Sequence, residues 1–171
     1  MTERDSVREM WTAFLSSRPR TASPAASYSV WHFGDNETLA DSLVELVLSG
    51  RKRATAEALW SYEFEKMPVP QAGEFSIVTD WKGKARCVIQ TTAVEILPFM
   101  KVTHEFASAE GEGDTSLEYW RKVHWSYFTR VLESCGREPR ADMPVACERF
   151  KVVFRADPVQ STSDEVEPGR S

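Results

Sequence analysis

The chain has 171 residues, 42% of them hydrophobic, and carries a formal net charge of −5 at pH 7. That size and composition suit one domain with a buried core, while the negative charge disfavours a protein that covers a long stretch of nucleic acid by neutralising phosphates. No apolar run approaches the roughly 20 residues that span a bilayer, and the charged N-terminus lacks a signal-peptide pattern, so we expect a cytoplasmic protein with no membrane partner.

Residues 1–27 are predicted to form an N-terminal helix and a linker. Ser6 and Glu9 have the spacing of a capping box, which favours a helix start at this point. Residues 16–27 are rich in serine, alanine and proline, a composition typical of a loop. An apolar stripe predicts that the helix docks on another surface, and it consists of Val7, Met10, Trp11, Phe14 and Leu15.

An amphipathic helix is predicted over residues 37–49, after a short aromatic strand over residues 28–33. Asn36 is a suitable N-cap for this helix, and Gly50 stands where a helix end favours the left-handed conformation. The helix therefore leads into a junction, residues 51–55, before the next strand.

Lys52 and Thr55 lie at this junction. They can share a pocket only if Lys52 is still in the turn, because residues three apart on a strand face opposite sides. A turn between a packed helix and a strand is rigid enough to aim a reactive group. The alternative is a solvated basic turn, since charge runs usually face water. An exposed Lys52 would contribute little stability, so its replacement by alanine would leave the thermal midpoint nearly unchanged.

The middle and the end of the chain are predicted to be mostly strands, with helices inserted between them. This order fits an α+β fold with a small, partly closed, mixed β-barrel and surrounding helices better than alternating βαβ units. The clearest β signal is a hairpin around Lys82-Gly83-Lys84. Strands are expected over residues 74–79, 85–97 and 145–154, and helical segments over residues 60–66 and 104–109.

Two compositional features complete this outline. Residues 155–171 are polar and lack aromatic side chains, so we expect a disordered C-terminal tail. The three cysteines are scattered without metal-finger spacing, so we expect no metal ligands among them.

An acidic loop jointed by glycines, Glu110 to Asp114, precedes a long predicted helix with a capping box from Thr115 to Glu118. In one interpretation the acidic residues cap the helix and otherwise face water. In the other, the loop places a carboxylate over the barrel mouth, where it would hold Lys52 charged or exchange a proton with a substrate. Carboxylates this close together could also hold one Mg²⁺ or Mn²⁺, although a third fixed ligand is not evident.

Two polar residues, His124 and Glu148, stand on predicted apolar faces. His124 lies on the buried side of the long helix, where it is either a satisfied core residue or a base. Glu148 shares the core side of the last strand with Ala146 and Phe150. A carboxylate in that position is costly unless it is paired or hydrogen-bonded. It therefore has either a structural partner or a place in a polar cavity.

Several segments between residues 28 and 154 match the pattern of one family: Trp31–Asp35, Leu46–Thr55, Pro70–Gly73, Phe106–Asp114, Ser116-Leu117, Trp120-Arg121, His124 and Glu148–Val153. On these segments the chain resembles the ASCH domain of the PUA-like barrels, in the longer branch that carries the acidic glycine loop and a Trp-Arg-x-x-His helix. The G-x-K-x-x-T motif alone is weak, but with the loop and the helix in this order it is specific for the fold. The N-terminal helix lies outside the family pattern and could be a homodimer contact.

The resemblance implies a hydrolase directed at RNA or its nucleosides, with Lys52 at its centre. Our first expectation is cleavage of single-stranded RNA, in which Lys52 would neutralise the scissile phosphate and Glu110 or His124 would move the proton of the 2′-hydroxyl. The alternative is removal of the acetyl group from N(4)-acetylcytidine, a modified ribonucleoside. There Thr55 would be the nucleophile, Lys52 its activator and Glu110 the proton shuttle to the leaving amine.

A third hypothesis is a module that binds RNA or a modified nucleotide without turnover. Aromatic side chains near the proposed mouth could stack a base, although a small barrel also needs them as core. Cationic side chains around the junction could line a groove for RNA. The expected substrate contacts are Trp31, Phe33, Arg53, Trp60, Tyr62, Arg121 and Glu148.

Overall fold

The computed structural model describes residues 2–25 and 27–155. The predicted tail lies outside these ranges except for Arg155, the last residue of the final strand. In chain order the elements are α1 (Glu3–Ser17), β1 (Ser29–Trp31), α2 (Glu37–Leu48), β2 (Ala54–Ala58), α3 (Leu59–Glu65), β3 (Phe75–Thr79), β4 (Ala85–Pro98), a 3₁₀ turn (Phe99–Lys101), α4 (His104–Glu110), α5 (Leu117–Glu133) and β5 (Pro144–Arg155).

The strands form one curled, mixed half-barrel in the order β1-β3-β4-β5-β2. The pairing of β1 with β3 is parallel, and the other pairings are antiparallel. The two long strands, β4 and β5, pair along most of their length and carry the shorter strands on either side. The expected α+β fold with a partly closed barrel is confirmed.

The first helix begins earlier than the sequence pattern indicated. Its capping box consists of Thr2 and Asp5, in which the Asp5 amide donates to the Thr2 hydroxyl and the Thr2 amide donates to the Asp5 carboxylate. The prediction of a capping box at Ser6 and Glu9 was wrong. The Ser6 hydroxyl instead bonds within the first turn and accepts a hydrogen bond from the Ala85 amide at the start of β4.

The apolar stripe of α1 packs on the chain's own sheet, against β3, β4 and β5. Met10 and Phe14 are buried in a cluster with Ile77 and Val88. The surface that we considered for a dimer contact is therefore largely used within the chain.

The second helix was predicted closely, and it sets the position of the junction. The Asn36 side chain accepts a hydrogen bond from the Leu39 amide, and Gly50 adopts a φ of 78° after the last turn. Val44 and Val47 bury the inner face of the helix beside Phe150. Because this face is fixed in the core, the residues that follow it have a fixed starting point.

The start of α5 also differs by one residue from its prediction. Ser116 is the N-cap and accepts a hydrogen bond from the Tyr119 amide. Thr115 has a positive φ of 65°, which removes it from the capping position. The Asp114 carboxylate accepts from the Ser116 amide and so stabilises the turn before the helix.

The remaining global features concern membranes and cysteines. Among the helices in the described ranges, none has both the length and the hydropathy required to cross a membrane. Cys87 and Cys147 are buried, and burial raises the pKa of each thiol to about 12. Both therefore pack as apolar side chains.

Candidate functional site

A buried ion cluster lies where α2 joins β2. Lys52 is only 1% exposed, and its Nζ donates to Glu110 Oε2 and to Glu112 Oε1, both at 2.7 Å. The predicted meeting of Lys52 with a carboxylate of the acidic loop is confirmed. The alternative of a solvated basic turn was wrong, because the Lys52 ammonium is buried and bonded to two carboxylates. The small stability effect expected for replacing Lys52 assumed an exposed side chain, so that assumption does not hold.

The backbone explains why the loop and the junction meet. The Arg53 amide donates to the Ala109 carbonyl at 2.8 Å, which fastens the junction to the end of α4. Gly111 follows with a φ of 68°, and a Cβ at this position would lie 2.2 Å from the Arg51 carbonyl oxygen. Only glycine therefore lets the acidic loop pass the junction closely enough for its carboxylates to reach Lys52.

The cluster continues into α5 through Trp120 and His124. Glu110 Oε1 accepts from Trp120 Nε1 at 2.9 Å and lies 3.2 Å from His124 Nε2. His124 Nδ1 lies 3.0 Å from the Trp120 carbonyl oxygen, which can only accept, so Nδ1 carries a proton. Because Nε2 faces the Glu110 carboxylate, which raises the pKa of the ring, the contacts of both nitrogens favour the imidazolium form of His124.

The cluster consequently contains two cations and two anions. Burial opposes the charges of Lys52 and His124, but the neighbouring glutamates outweigh it and raise the pKa of both groups. Burial likewise opposes ionisation of Glu110, yet Lys52 and His124 hold the pKa of that carboxyl far below its usual range. The four side chains stabilise one another because their opposite charges balance within the cluster.

A divalent cation does not fit this set. Ligand atoms of Glu110, Glu112 and His124 lie within 4.8 Å of one another. However, the Lys52 ammonium is already bonded to both carboxylates, and a metal ion would have to displace it. Asp114 is exposed and bonded to the next turn, so it adds no ligand. The option of Mg²⁺ or Mn²⁺ at the acidic loop is not supported by these positions.

A cavity of about 300 Å³ opens beside the cluster, and Lys52 and Thr55 both line it. Lys52 precedes β2 and Thr55 is its second residue, so the condition that Lys52 remain in the turn is met. Of the predicted substrate contacts, Trp31, Phe33 and Tyr62 form part of the wall.

Glu148 also lines the cavity, from β5, and is 4% exposed. Its Oε1 accepts from the Thr91 hydroxyl at 2.6 Å. Burial raises its pKa, which the Thr91 hydrogen bond partly offsets. The interpretation that this face of the strand borders a polar cavity is confirmed.

The sequence reasoning assigned no site role to several polar residues that line the cavity: His32, Glu57, Glu65, Glu112 and Tyr127. The Glu57 carboxylate accepts from the Tyr127 hydroxyl at 2.8 Å, from the Ser61 hydroxyl and from the Ala58 amide. Glu57 could have been found, because residues two apart on a strand share a face and it follows Thr55 at that spacing.

Three other expected contacts lie away from the cavity. Trp60 is partly buried against the edge of the core, and the Arg137 guanidinium carbon is 4.6 Å from its ring centroid. Arg53 is exposed, and the Arg121 guanidinium donates to the Met100 carbonyl. None of the three lines the cavity, so the structure does not bring them together with Lys52.

Comparison with known proteins gives concordant results. The ASCH domain family model matches residues 29–154. A crystal structure of an ASCH domain from Lactobacillus crispatus JV V101 is 35% identical, with a TM-score of 0.83, and the match covers 88% of this chain and 96% of that chain. A protein from Enterococcus faecalis V583 is 34% identical, with a TM-score of 0.79 and coverage of 88% and 90%. Among curated proteins, no significant match is found.

Proposed function

The chain belongs to the ASCH domain family, which has the PUA-like RNA-binding fold, and from this premise we propose that its cavity hydrolyses an amide on a modified nucleoside such as N(4)-acetylcytidine. The supporting observation is that a charged Lys52 and the Thr55 side chain border one small cavity of about 300 Å³. That volume is at the lower end for ligand pockets and suits a single nucleoside.

The charges of the cavity wall favour this substrate over an RNA strand. Five glutamates line the cavity, whereas its charged basic residues are Lys52 and His124, which Glu110 and Glu112 already neutralise. A phosphodiester entering this wall would meet net repulsion. The order of the two activities expected from the sequence is therefore reversed in our proposal. The five glutamates are Glu57, Glu65, Glu110, Glu112 and Glu148.

Several of the cationic side chains that could guide RNA are engaged elsewhere. Arg51 donates to the Gly113 carbonyl at 2.6 Å, and Arg86 is paired with Glu45 on α2. Lys82, on the hairpin between β3 and β4, lies near Glu37 of α2. A continuous basic groove leading to Lys52 finds no support in these positions.

In this proposal Lys52 has an electrostatic role. An ammonium has three N–H donors, and two of them are used by Glu110 and Glu112. The third is available to the carbonyl oxygen of a bound amide, where it would stabilise the negative charge that develops when a nucleophile adds. Thr55 is the hydroxyl nucleophile in this proposal.

Neither Lys52 nor Glu110 is suited to move the Thr55 proton. Lys52 is held charged by its two carboxylates, so it has no lone pair to accept a proton. Both oxygens of Glu110 accept hydrogen bonds or contact the imidazolium, and its pKa is far below the usual range. We therefore assign Glu110 and His124 to holding Lys52 in place rather than to proton transfer.

The test compares two substrates under identical conditions, with and without EDTA. Wild-type protein is incubated with N(4)-acetylcytidine and with single-stranded RNA, and free cytidine or RNA fragments are measured by chromatography. We expect cytidine to be released at rates that EDTA does not change, and both Lys52→Met and Thr55→Val to abolish the release. The matched control is Arg53→Ala, an exposed residue of the same junction, which should retain activity.

Other outcomes would contradict the proposal in distinct ways. RNA fragments without cytidine would favour the nuclease. Binding of the nucleoside without either product would favour a binding module. Equal cytidine release by wild-type protein and Thr55→Val would exclude Thr55 as the nucleophile.

A further inference from the structure

The proposed reaction needs a group that takes a proton from Thr55, and the sheet places one beside it. In the antiparallel register of β2 and β5, Thr55 lies opposite Glu148. Directly opposed residues project from the same face, with Cβ atoms about 4.5–5.5 Å apart. Both residues line the cavity. The two side chains therefore leave the sheet side by side and enter the same cavity, although no hydrogen bond joins the Thr55 hydroxyl to Glu148.

The hydrogen bonds of Glu148 leave it able to accept a proton. One oxygen, Oε1, is occupied by the Thr91 hydroxyl. Within residues 2–25 and 27–155, Oε2 receives no hydrogen bond, and no basic side chain forms an ion pair with this carboxylate. Glu57, the other carboxylate on this side of the wall, differs because donors occupy both of its oxygens.

The surroundings of Glu148 also raise the pKa of its carboxyl group. Burial raises its pKa, the Thr91 hydroxyl opposes this, and the charge of Glu74 adds to the increase. A general base is most effective when its pKa lies near the operating pH. The other titratable groups that border the same cavity are His32, Lys52, Glu57, Tyr62, Glu65, Glu110, Glu112, His124 and Tyr127.

We propose that Glu148 is the acid–base residue of the amide hydrolysis, an inference that rests on the proposed function. The Thr55 proton moves to Glu148 as the Thr55 oxygen bonds to the acyl carbon, and the carbonyl oxygen becomes an oxyanion beside Lys52. When the oxyanion collapses, the C–N bond breaks and Glu148 gives its proton to the departing nitrogen. The products of this half are the free amine and acyl-Thr55.

The second half repeats the same exchange with water. A water molecule gives a proton to Glu148 while its oxygen bonds to the ester carbon. Collapse then breaks the bond between that carbon and the Thr55 oxygen, which regains a proton from Glu148. One amide bond and one water are consumed, and one amine and one carboxylic acid are released.

The experiment measures kcat and KM for N(4)-acetylcytidine as a function of pH. We expect Glu148→Gln to lower kcat roughly 10²- to 10⁴-fold, the usual contribution of general acid–base catalysis, with little change in KM. The residual kcat of Glu148→Gln should no longer fall at acidic pH, as that of the wild type does. Formate should restore part of the rate of Glu148→Ala, because a small carboxylate can occupy the vacated position. The matched control is Glu95→Gln, an exposed glutamate on β4.

The outcomes separate this inference from the function on which it rests. If the wild type releases no cytidine, the proposed function and the role of Glu148 both fail. A second outcome is that the wild type is active, Thr55→Val is inactive, and Glu148→Gln keeps both its rate and the acidic limb of its pH profile. That outcome overturns only the role of Glu148. A loss of rate without any change in the pH profile or any rescue would also overturn it, because a merely structural role would produce that result.

Discussion

Replacing Lys52 by methionine tests the buried ion cluster directly. Methionine retains most of the side-chain length but removes the ammonium, so Glu110 and Glu112 lose the group that bonds to both at 2.7 Å. Glu110 is itself only 1% exposed and cannot recover the lost interaction from water. The substitution therefore leaves an uncompensated buried charge rather than simply deleting a contact.

The expected loss of stability follows from that geometry. Removing one partner of a buried ion pair costs about 3–5 kcal/mol. For a chain of this length, 1 kcal/mol shifts the thermal midpoint by about 2–4 °C, so Lys52→Met should lower the midpoint by roughly 6–20 °C. Adding Glu112→Gln should restore part of the loss, because one of the two carboxylates that lost the ammonium is then neutral while His124 still faces the other.

The assay is thermal unfolding at pH 7, followed by circular dichroism, for wild type, the single variant and the double variant. The matched control is Lys84→Met, an exposed lysine in the hairpin, which should lie within about 0.5 kcal/mol of wild type. A Lys52→Met midpoint equal to that of the Lys84 control would refute the reasoning, because the two glutamates could not then depend on the ammonium.

Three further predictions follow from the site. His124 should remain protonated above pH 6.5 in an NMR titration, since Glu110 raises its pKa. The contribution of the protonated ring to stability is complete below pH 6.5 and should fade as the pH rises through the raised pKa. A ring that is neutral at pH 6.5 would contradict the imidazolium. Gly111→Ala should destabilise the protein more than Gly50→Ala, because both have a positive φ but only Gly111 would place a Cβ against backbone; equal unfolding free energies would argue against the close passage. Glu148→Gln should raise the thermal midpoint at pH 7 but not at pH 4. The pKa of Glu148 in the folded state is raised above 4.5, so its protonated form favours folding at low pH, and its ionised form destabilises the fold as the pH rises. A variant less stable than wild type at pH 7 would contradict this.

The parts of the fold that the sequence predicted well are those with strong local signals. The helical period before Gly50 and the hairpin before β4 were assigned within one or two residues. The helix starts were less accurate, because the sequence offers competing caps. Ser6 looked like a cap but lies inside α1, and Thr115 was displaced by Ser116. Each start offered two adjacent or overlapping local candidates, and the sequence pattern did not rank them.

The contact between Lys52 and the acidic loop was predicted, but the arrangement of charges in the buried cluster was not. The resemblance to the ASCH domain implied that Lys52 and Glu110 share a site, but it could not show that Lys52 is buried, since a basic run usually faces water. Burial arises from the Arg53–Ala109 backbone bond, which joins segments far apart in sequence. Trp60 was expected in the cavity, but it packs against the core instead and does not line the cavity.

The most direct measurement of the central claim is peptide mass spectrometry of protein quenched during turnover of N(4)-acetylcytidine. The account predicts an acetyl group on the peptide that contains Thr55, present in the wild type during turnover and missing from Thr55→Val. Release of cytidine at an undiminished rate by Thr55→Val, with no acetylated peptide in either protein, would contradict it.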